Sequence, residues 1–473
     1  MAQQTKHPAG PIPRPPARER TGHLALRAYI VLTLFATLAH TAVYNLLGTA
    51  GAAVILALLT LGMFAIWIPA IVRQKPVRFP WRRLPWAAMT YGALALLSLT
   101  WSQWPGATAL TWVLWIAITA NALFAASMLT WQQLVRALSS ALKWILGLSL
   151  AVELWVALIL HHPLAPNFID LPDGKIDPHI YWVRGNLFDG GRIQGIVGNA
   201  HTLSMMCLLG LLVFSVLWFA NTRRRPALIG WAVLALVLGA KAASATSYLC
   251  LLAAIAVAVL ALLMRRMRRP SQRTALYVSG LIVVVAVAGA GFLLRDRILQ
   301  LLGKDSDMTG RFEIWGQVAD RAVQHPFFGN GFSSPWVPWD PAFNGWIIDH
   351  GLSVFHAHNM WLDVFLQLGA LGVIVMAVVW IAFAWRAWFF AVDRPRWDLD
   401  ATRPYSPLSL LPTMIVIVLL VEGLAESSPI MLWGWMLVVM FSFKIKTVPL
   451  VGIGHDLERS GVLAHGEPTP EVP

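Results

Sequence analysis

Apolar residues in this 473-residue chain come in long runs, many near 20 residues, broken by shorter stretches rich in Arg, Pro, Asn and Gly. A helix needs about 20 such residues to cross the hydrocarbon core of a bilayer. Measured by that length, the pattern predicts twelve helical spans, at 27–47, 50–72, 84–101, 107–128, 140–161, 197–220, 227–242, 246–264, 276–294, 360–385, 407–425 and 429–445. The seventh is short. Two polar interruptions stand out, 162–190 and 295–356, and loops beyond about 12–15 residues are more often functional than merely connecting. In the second, "GRFEIWGQVADRAVQHPFFGNGF" sets Phe312, Trp315, Val318, Ala319 and Ala322 at helical spacing. That spacing predicts an amphipathic helix lying on a membrane surface and stopped by Pro326. No sequence repeat joins the two halves, so an inverted-repeat transporter plan is not expected.

Composition changes the picture only by excluding alternatives. With 58% hydrophobic and 12% charged residues the chain does not describe a water-soluble globule, and the expected fold class is an all-α polytopic membrane protein. A formal charge of +13 would suggest nucleic acid in a soluble protein; here the cations flank spans and report topology, and no nucleic-acid partner is expected. If the N-terminus is cytoplasmic, 27 of the 36 Lys and Arg fall on the inside, as the positive-inside rule demands. Both termini are therefore expected in the cytoplasm: residues 1–24 as a disordered basic tail with no signal peptide, 25–446 as the transmembrane domain, and 447–473 as a second tail. Cys207 and Cys250 lie inside apolar runs and offer neither a disulfide framework nor a thiolate metal site.

The informative cations are the nine on or near the other side: Lys175, Arg184, Arg192, Lys241, Arg295, Arg297, Lys304, Arg311 and Arg321. Arg192 stands just ahead of the sixth span, Arg311 opens the amphipathic stretch, and "HAHNMW" sets His356, His358 and Asn359 at the mouth of the tenth. "GRIQGIVGNAHTLS", "GRFEIWGQVADRAVQHPFFGNGF" and "HAHNMWLDVFLQLGALG", with "EGLAESSPIMLWGW" near the C-terminus, resemble the O-antigen ligase and exopolysaccharide polymerase superfamily over roughly 190–385. The first 190 residues resemble it only in hydropathy.

The resemblance implies a multi-pass enzyme of the bacterial inner membrane that moves a glycan from a polyprenyl-diphosphate carrier to the hydroxyl of a glycan or glycolipid acceptor, on the extracytoplasmic face. It implies Arg192 and Arg311 as ligands of the diphosphate, a role that suits the planar guanidinium fork. It implies His358 as the catalytic residue, and His is the side chain whose ordinary pKa of about 6.5 suits a base near neutrality. His356 and Asn359 are expected to support it, with no cofactor and no metal. One feature departs from the family: a further basic residue in a Ser/Arg or Ser/Lys motif is replaced here by "KAASATSYL". Lys241, three residues before Ser244, either substitutes for that cation by helical i, i+3 adjacency or the contact is missing.

Blander readings compete. Arg192 and Arg311 could neutralise Asp189 and Glu313 or bind lipid phosphate; His358 could anchor its helix at the interface. Asp349, His350, His356 and His358 form a conceivable metal set, but the two side chains of "HAH" diverge in both extended and helical backbone, so convergence needs a bend. Asp-x-Asp in "KDSDMTG" reads as a solvated turn with Asp307 or Thr309 as helix cap. Trp315, Trp336, Trp339, Trp346 and Trp361 read as membrane anchors before sugar platforms. Glu153, Asp363 and Glu422 lie inside spans, where ionisable groups default to functional candidates. They sustain the alternative of a proton-coupled transporter of a small anion or saccharide. The concentration of polar residues at span ends, away from the midplane where carriers bind substrate, favours the transferase.

Overall fold

A computed structural model describes residues 21–73, 79–168, 177–220, 225–267, 269–294, 297, 310–393, 405–449 and 451. Each of the twelve apolar segments holds a helix: α1 (Thr21–Leu38), α2 (His40–Val72), α3 (Trp86–Leu97), α4 (Pro105–Met128), α5 (Trp131–Trp155), α6 (Ala200–Phe219), α7 (Arg225–Ala242), α8 (Ala245–Arg266), α9 (Pro270–Leu293), α11 (Met360–Val392), α12 (Leu411–Glu422) and α13 (Leu432–Thr447), with α10 (Arg311–Ala322) in the long loop. Among the described residues eight helices are long and apolar enough to cross a membrane; apolar helices in the first, third and eleventh segments are shorter, and α13 has 16 residues. The chain is an all-α multi-pass membrane protein.

Local chemistry explains where the elements start and break. α5 begins at Trp131 rather than near 140, because Thr130 and Gln133 form a reciprocal cap in which each side chain accepts from the other's backbone N–H. The polar stretch after 130 is therefore helix, not loop. The boundary expected between the first two spans falls inside α2, where Gly48 leaves helical geometry at φ 70°. The core lies around α13, nearly all of which is buried and whose Trp435 indole donates to Thr119 of α4 at 2.9 Å. α9, by contrast, exposes Leu281, Ile282, Val283, Val284 and Val285, a surface suited to lipid.

The tenth span is not one helix. α11 breaks at Gly369 (φ 60°), and the segment after α10 docks into the break mainly through backbone, helped by the Asn330 and Gln367 side chains. Asn330 and Gly331 N–H donate to Leu366 and Gln367 carbonyls at 3.0 and 2.9 Å, and Ala370 N–H donates to Pro326 at 2.8 Å. Gly329 and Gly369 make that approach possible: a Cβ on either would stand 2.4 Å from backbone atoms of the other strand of chain. Irregular backbone is tolerable within a membrane protein when its polar groups are satisfied in this way.

Two expectations for the long loop are corrected. α10 forms, but its buried face is Ile314, Val318 and Ala322, packed with Trp104, Trp336, Phe343, Ala357 and Leu366, while Phe312 is exposed. The helix covers protein rather than lying with its apolar stripe on a membrane, because the loop folds its own small core. Trp336 belongs to that core, stacked on Phe343 at 5.6 Å, and Arg321 donates to the Ala342 carbonyl while lying over Trp104 and Trp346. Trp339 alone of the loop tryptophans named above is largely exposed. A short antiparallel ladder, β1 (Ile348–Asp349) with β2 (Leu352–Ser353), is additional to the expected elements. Asp307 and Thr309 of "KDSDMTG", with Lys175, Arg295, Lys304 and most of both tails, lie outside the described residues.

Candidate functional site

The site is assembled where three chain segments meet at the end of α12, the mouth of α11 and the start of α10. Asn359 caps α11, accepting from Trp361 and Leu362 N–H at 3.0 and 3.1 Å, and its amide donates to the Leu424 carbonyl at 3.1 Å. Met360 N–H donates to Gly423 at 2.9 Å, so the α11 entrance is bolted to the turn that carries Glu426. His358 sits in the left-handed region (φ 49°), a conformation that costs a non-glycine residue on the order of 1–3 kcal/mol and clusters at functional sites. This is the bend that "HAH" required. The rings of His356 and His358 come to 4.2 Å, and the His358 N–H donates to His356 Nδ1 at 3.1 Å.

Glu426 is the hub. Its buried carboxylate accepts from His358 Nδ1 at 3.0 Å through one oxygen and from Arg311 Nη2 at 2.5 Å through the other. Burial, the largest single influence, raises this carboxyl; His358 beside it, together with His201 and His356, outweighs burial and holds it well below the usual carboxylate range. The bond to a carboxylate puts a proton on His358 Nδ1; in the neutral ring Nε2 is then the acceptor, the arrangement by which a carboxylate orients a general base. Burial, with His358 close by, lowers the His356 imidazole to about 3, so it stays neutral.

Arg192 approaches from a loop held by a different carboxylate. Glu153 Oε1, buried in α5, accepts from Gln194 and Gly195 N–H at 2.9 and 2.8 Å, and Ser149 Oγ accepts from Ile196 N–H at 3.2 Å. Arg192 Nε donates to the Ala242 carbonyl at 2.9 Å. Burial and then the charge of Arg311 lower its pKa, so the two cations share one electrostatic environment. Lys241 does not join them by the expected route. α7 ends at Ala242, Ala243 is left-handed (φ 47°) and Ser244 caps α8, so no helical i, i+3 relation links Lys241 to Ser244. Lys241 is exposed, its Nζ donates to the Leu187 carbonyl at 3.1 Å and its own carbonyl accepts from Ile193, bracing the Arg192 loop.

The three span carboxylates separate by role. Glu153 holds a loop; Asp363 accepts from Trp336 Nε1 at 2.9 Å and Gln367 Nε2 at 2.8 Å, tying the long loop to α11. Glu422 faces the site: His201 Nε2 lies 3.2 Å from it, and His201 Nδ1 lies 3.0 Å from Ser244 Oγ. Glu426 and His201 are the residues sequence reasoning missed. The available signal was "EGLAESS", two carboxylates four residues apart at the end of an apolar run. The metal set considered from sequence divides in two: His356 and His358 meet Glu426, whereas His350 meets Asp177 and His179.

Residues 242–377 match the family model described as O-antigen ligase. The superfamily resemblance read from the motifs stands on that match, which contains Ser244, Arg311, His356, His358 and Asn359 but not Arg192, Lys241 or Glu426. The chain is also 30% identical over 123 residues to the Exopolysaccharide production protein ExoQ of Rhizobium meliloti (strain 1021), 24% of this chain and 27% of that protein. The chain thus aligns with about a quarter of the length of this curated relative. Together the matches make this membrane protein similar, over residues 242–377, to the O-antigen ligase family and, over a shorter stretch, to a curated exopolysaccharide production protein.

Proposed function

We propose that the protein is a glycan transferase of the bacterial inner membrane, with twelve spans, both termini cytoplasmic and this site at the extracytoplasmic face. The donor is a glycan on a polyprenyl diphosphate and the acceptor a glycan or glycolipid hydroxyl. The observation that carries the reading is the Glu426 carboxylate shared by His358 Nδ1 and Arg311. It presents an imidazole Nε2 as a base beside fixed cations, which is the equipment for displacing a diphosphate with a hydroxyl.

In the proposed step the acceptor oxygen bonds to the anomeric carbon as the bond from that carbon to the diphosphate oxygen breaks. The acceptor proton passes to His358 Nε2, and the electron pair leaves with the diphosphate, met by Arg192 and Arg311. A single displacement inverts the anomeric centre, and neither cofactor nor metal enters it. Lys241 extends the cationic rim through the loop it braces. A proton-coupled carrier draws less support, because Glu153 and Asp363 accept backbone and side-chain hydrogen bonds that hold loops in place.

The test is polyprenyl-diphosphate release from a glycolipid donor by protein in detergent. His358→Ala and Arg311→Ala are each expected to abolish release while the protein stays folded, and EDTA to leave it unchanged. Full activity in either variant, or loss with EDTA that a divalent ion restores even in a His179→Ala background, overturns the reading. A ladder of product lengths on a gel marks a polymerase; a single transferred unit marks a ligase.

A further inference from the structure

A second cluster of imidazole and carboxylate lies away from Glu426. Asp177 follows the segment after α5, and His350 sits at the tip of the β1–β2 ladder, with left-handed φ 50° followed by Gly351 at φ 80°. Asp177 Oδ1 lies 2.8 Å from His179 Nδ1, and Asp177 Oδ2 lies 2.9 Å from His350 Nδ1. The two imidazoles stack at 4.4 Å with planes 15° apart, so both present an Nδ1 edge to the same carboxylate. The set is solvent-accessible, with Asp177 partly covered and both histidines exposed.

We propose that Asp177, His179 and His350 form a binding site for a divalent transition metal of the zinc type, clasping the loop that leads to Arg192 onto the loop that leads to His358. The donor set, two neutral imidazoles and one carboxylate, is a zinc set, with the fourth position left to water. The three candidate ligand atoms already lie within 4.8 Å of one another. Tetrahedral ligands at about 2.0–2.1 Å from zinc stand roughly 3.3 Å apart; the 2.8 and 2.9 Å contacts run to different Asp177 oxygens, so the carboxylate turns one oxygen to the ion while each ring moves its proton from Nδ1 to Nε2 and stays neutral. The stacked rings tilt apart to aim at it.

Asp349 is an independent sign. Its Oδ1 lies 3.8 Å from His350 Nε2, on the far side of the ring from Asp177. At that distance it does not hydrogen-bond the ring; after closing by about 1 Å it would be the outer partner that a ligating histidine ordinarily has. Exposed Asp–His contacts are common without a metal; two Nδ1 atoms on one carboxylate, with a second carboxylate behind one of the rings, fit a cation better than a chance pairing.

Full-length protein in detergent, stripped with EDTA and dialysed at pH 7.5, is titrated with Zn²⁺ by calorimetry and with Co²⁺ by its visible absorption. One ion per chain is expected, with a tetrahedral cobalt spectrum, retained in His358→Ala. Binding is expected to weaken more than 100-fold in His179→Ala and His350→Ala, and about 10- to 100-fold in Asp349→Asn, the range that outer-partner changes cost. Affinity unchanged in both histidine variants overturns the proposal, as does an ion lost with His358→Ala. Asp177→Asn keeps the size of the side chain but replaces one acceptor oxygen with a donor, and it serves where a histidine variant folds poorly: it is expected to weaken binding at least 10-fold, and unchanged affinity there overturns the proposal equally.

Discussion

Two clusters of the same chemical type sit on neighbouring loops and differ in what surrounds them. His356, His358 and Glu426 are shielded by the α11 entrance and the α12 turn, and Glu426 also carries Arg311. Asp177, His179 and His350 face solvent, and among the described residues no arginine hydrogen-bonds to them, although the Arg184 charge acts on Asp177 through space. Burial turns the first into a fixed device. A buried carboxylate needs its partners, holds one tautomer of His358, and keeps a cation beside it where water cannot screen the field. Exposure leaves the second free to take up a cation.

The comparison breaks most sharply at Glu426. Glu426→Gln keeps the shape but removes the charge that orients His358 and offsets Arg311; transfer is expected to fall on the order of 10³- to 10⁴-fold, the scale seen when the orienting carboxylate of a catalytic histidine is neutralised. Near-normal turnover in the glycolipid assay would detach the dyad from the chemistry. Arg192→Ala removes a charge-assisted contact, typically about 1.5–3 kcal/mol, so KM for the lipid-linked donor should rise about 10- to 100-fold with kcat changed less. Glu153→Gln, which weakens the grip on Gln194 and Gly195, is expected to lower unfolding stability by about 1–3 kcal/mol and to raise KM in the same sense.

Acid should separate the clusters next. His356 holds its folded-state pKa near 3, below the ordinary value of about 6.5, so on acidification the unfolded chain takes up a proton that the folded one refuses. Stability is then full above about pH 6.5 and declines progressively toward pH 3. Glu426, held low, adds a loss of the same direction that begins below its ordinary value near 4.5. His356→Asn should remove the upper part of that decline in thermal unfolding measured from pH 7 to 4. The smallest effect belongs to the exposed cluster: in metal-free protein His179→Ala should leave both transfer and unfolding temperature unchanged.

Much of the architecture was legible because membrane-length apolar runs are the strongest signal a sequence carries. Each predicted span holds a helix, and Gly48 marks the expected boundary between the first two. The failures share one cause. The break at Gly369, the inward face of α10 and the burial of Trp336 all depend on which other segment arrives, and hydropathy scores a residue without its neighbour. Lys241 escapes a local reading because adjacency in number is not adjacency on a helix that ends one residue later.

By itself, then, the sequence determined the class of protein, the segments that become helices and, through short motifs, Arg192, Arg311 and His358 as the residues to watch. Only the tertiary structure decided what those residues do to one another. Glu426 lies 68 residues from His358 and 115 from Arg311, and no local pattern links positions so distant. The left-handed bend at His358, offset by the contacts around it, turns two diverging histidines into a pair. The physical reason is that a run of side chains records its own affinity for lipid or water, whereas a hydrogen bond between buried charges exists only once packing has removed the water from both.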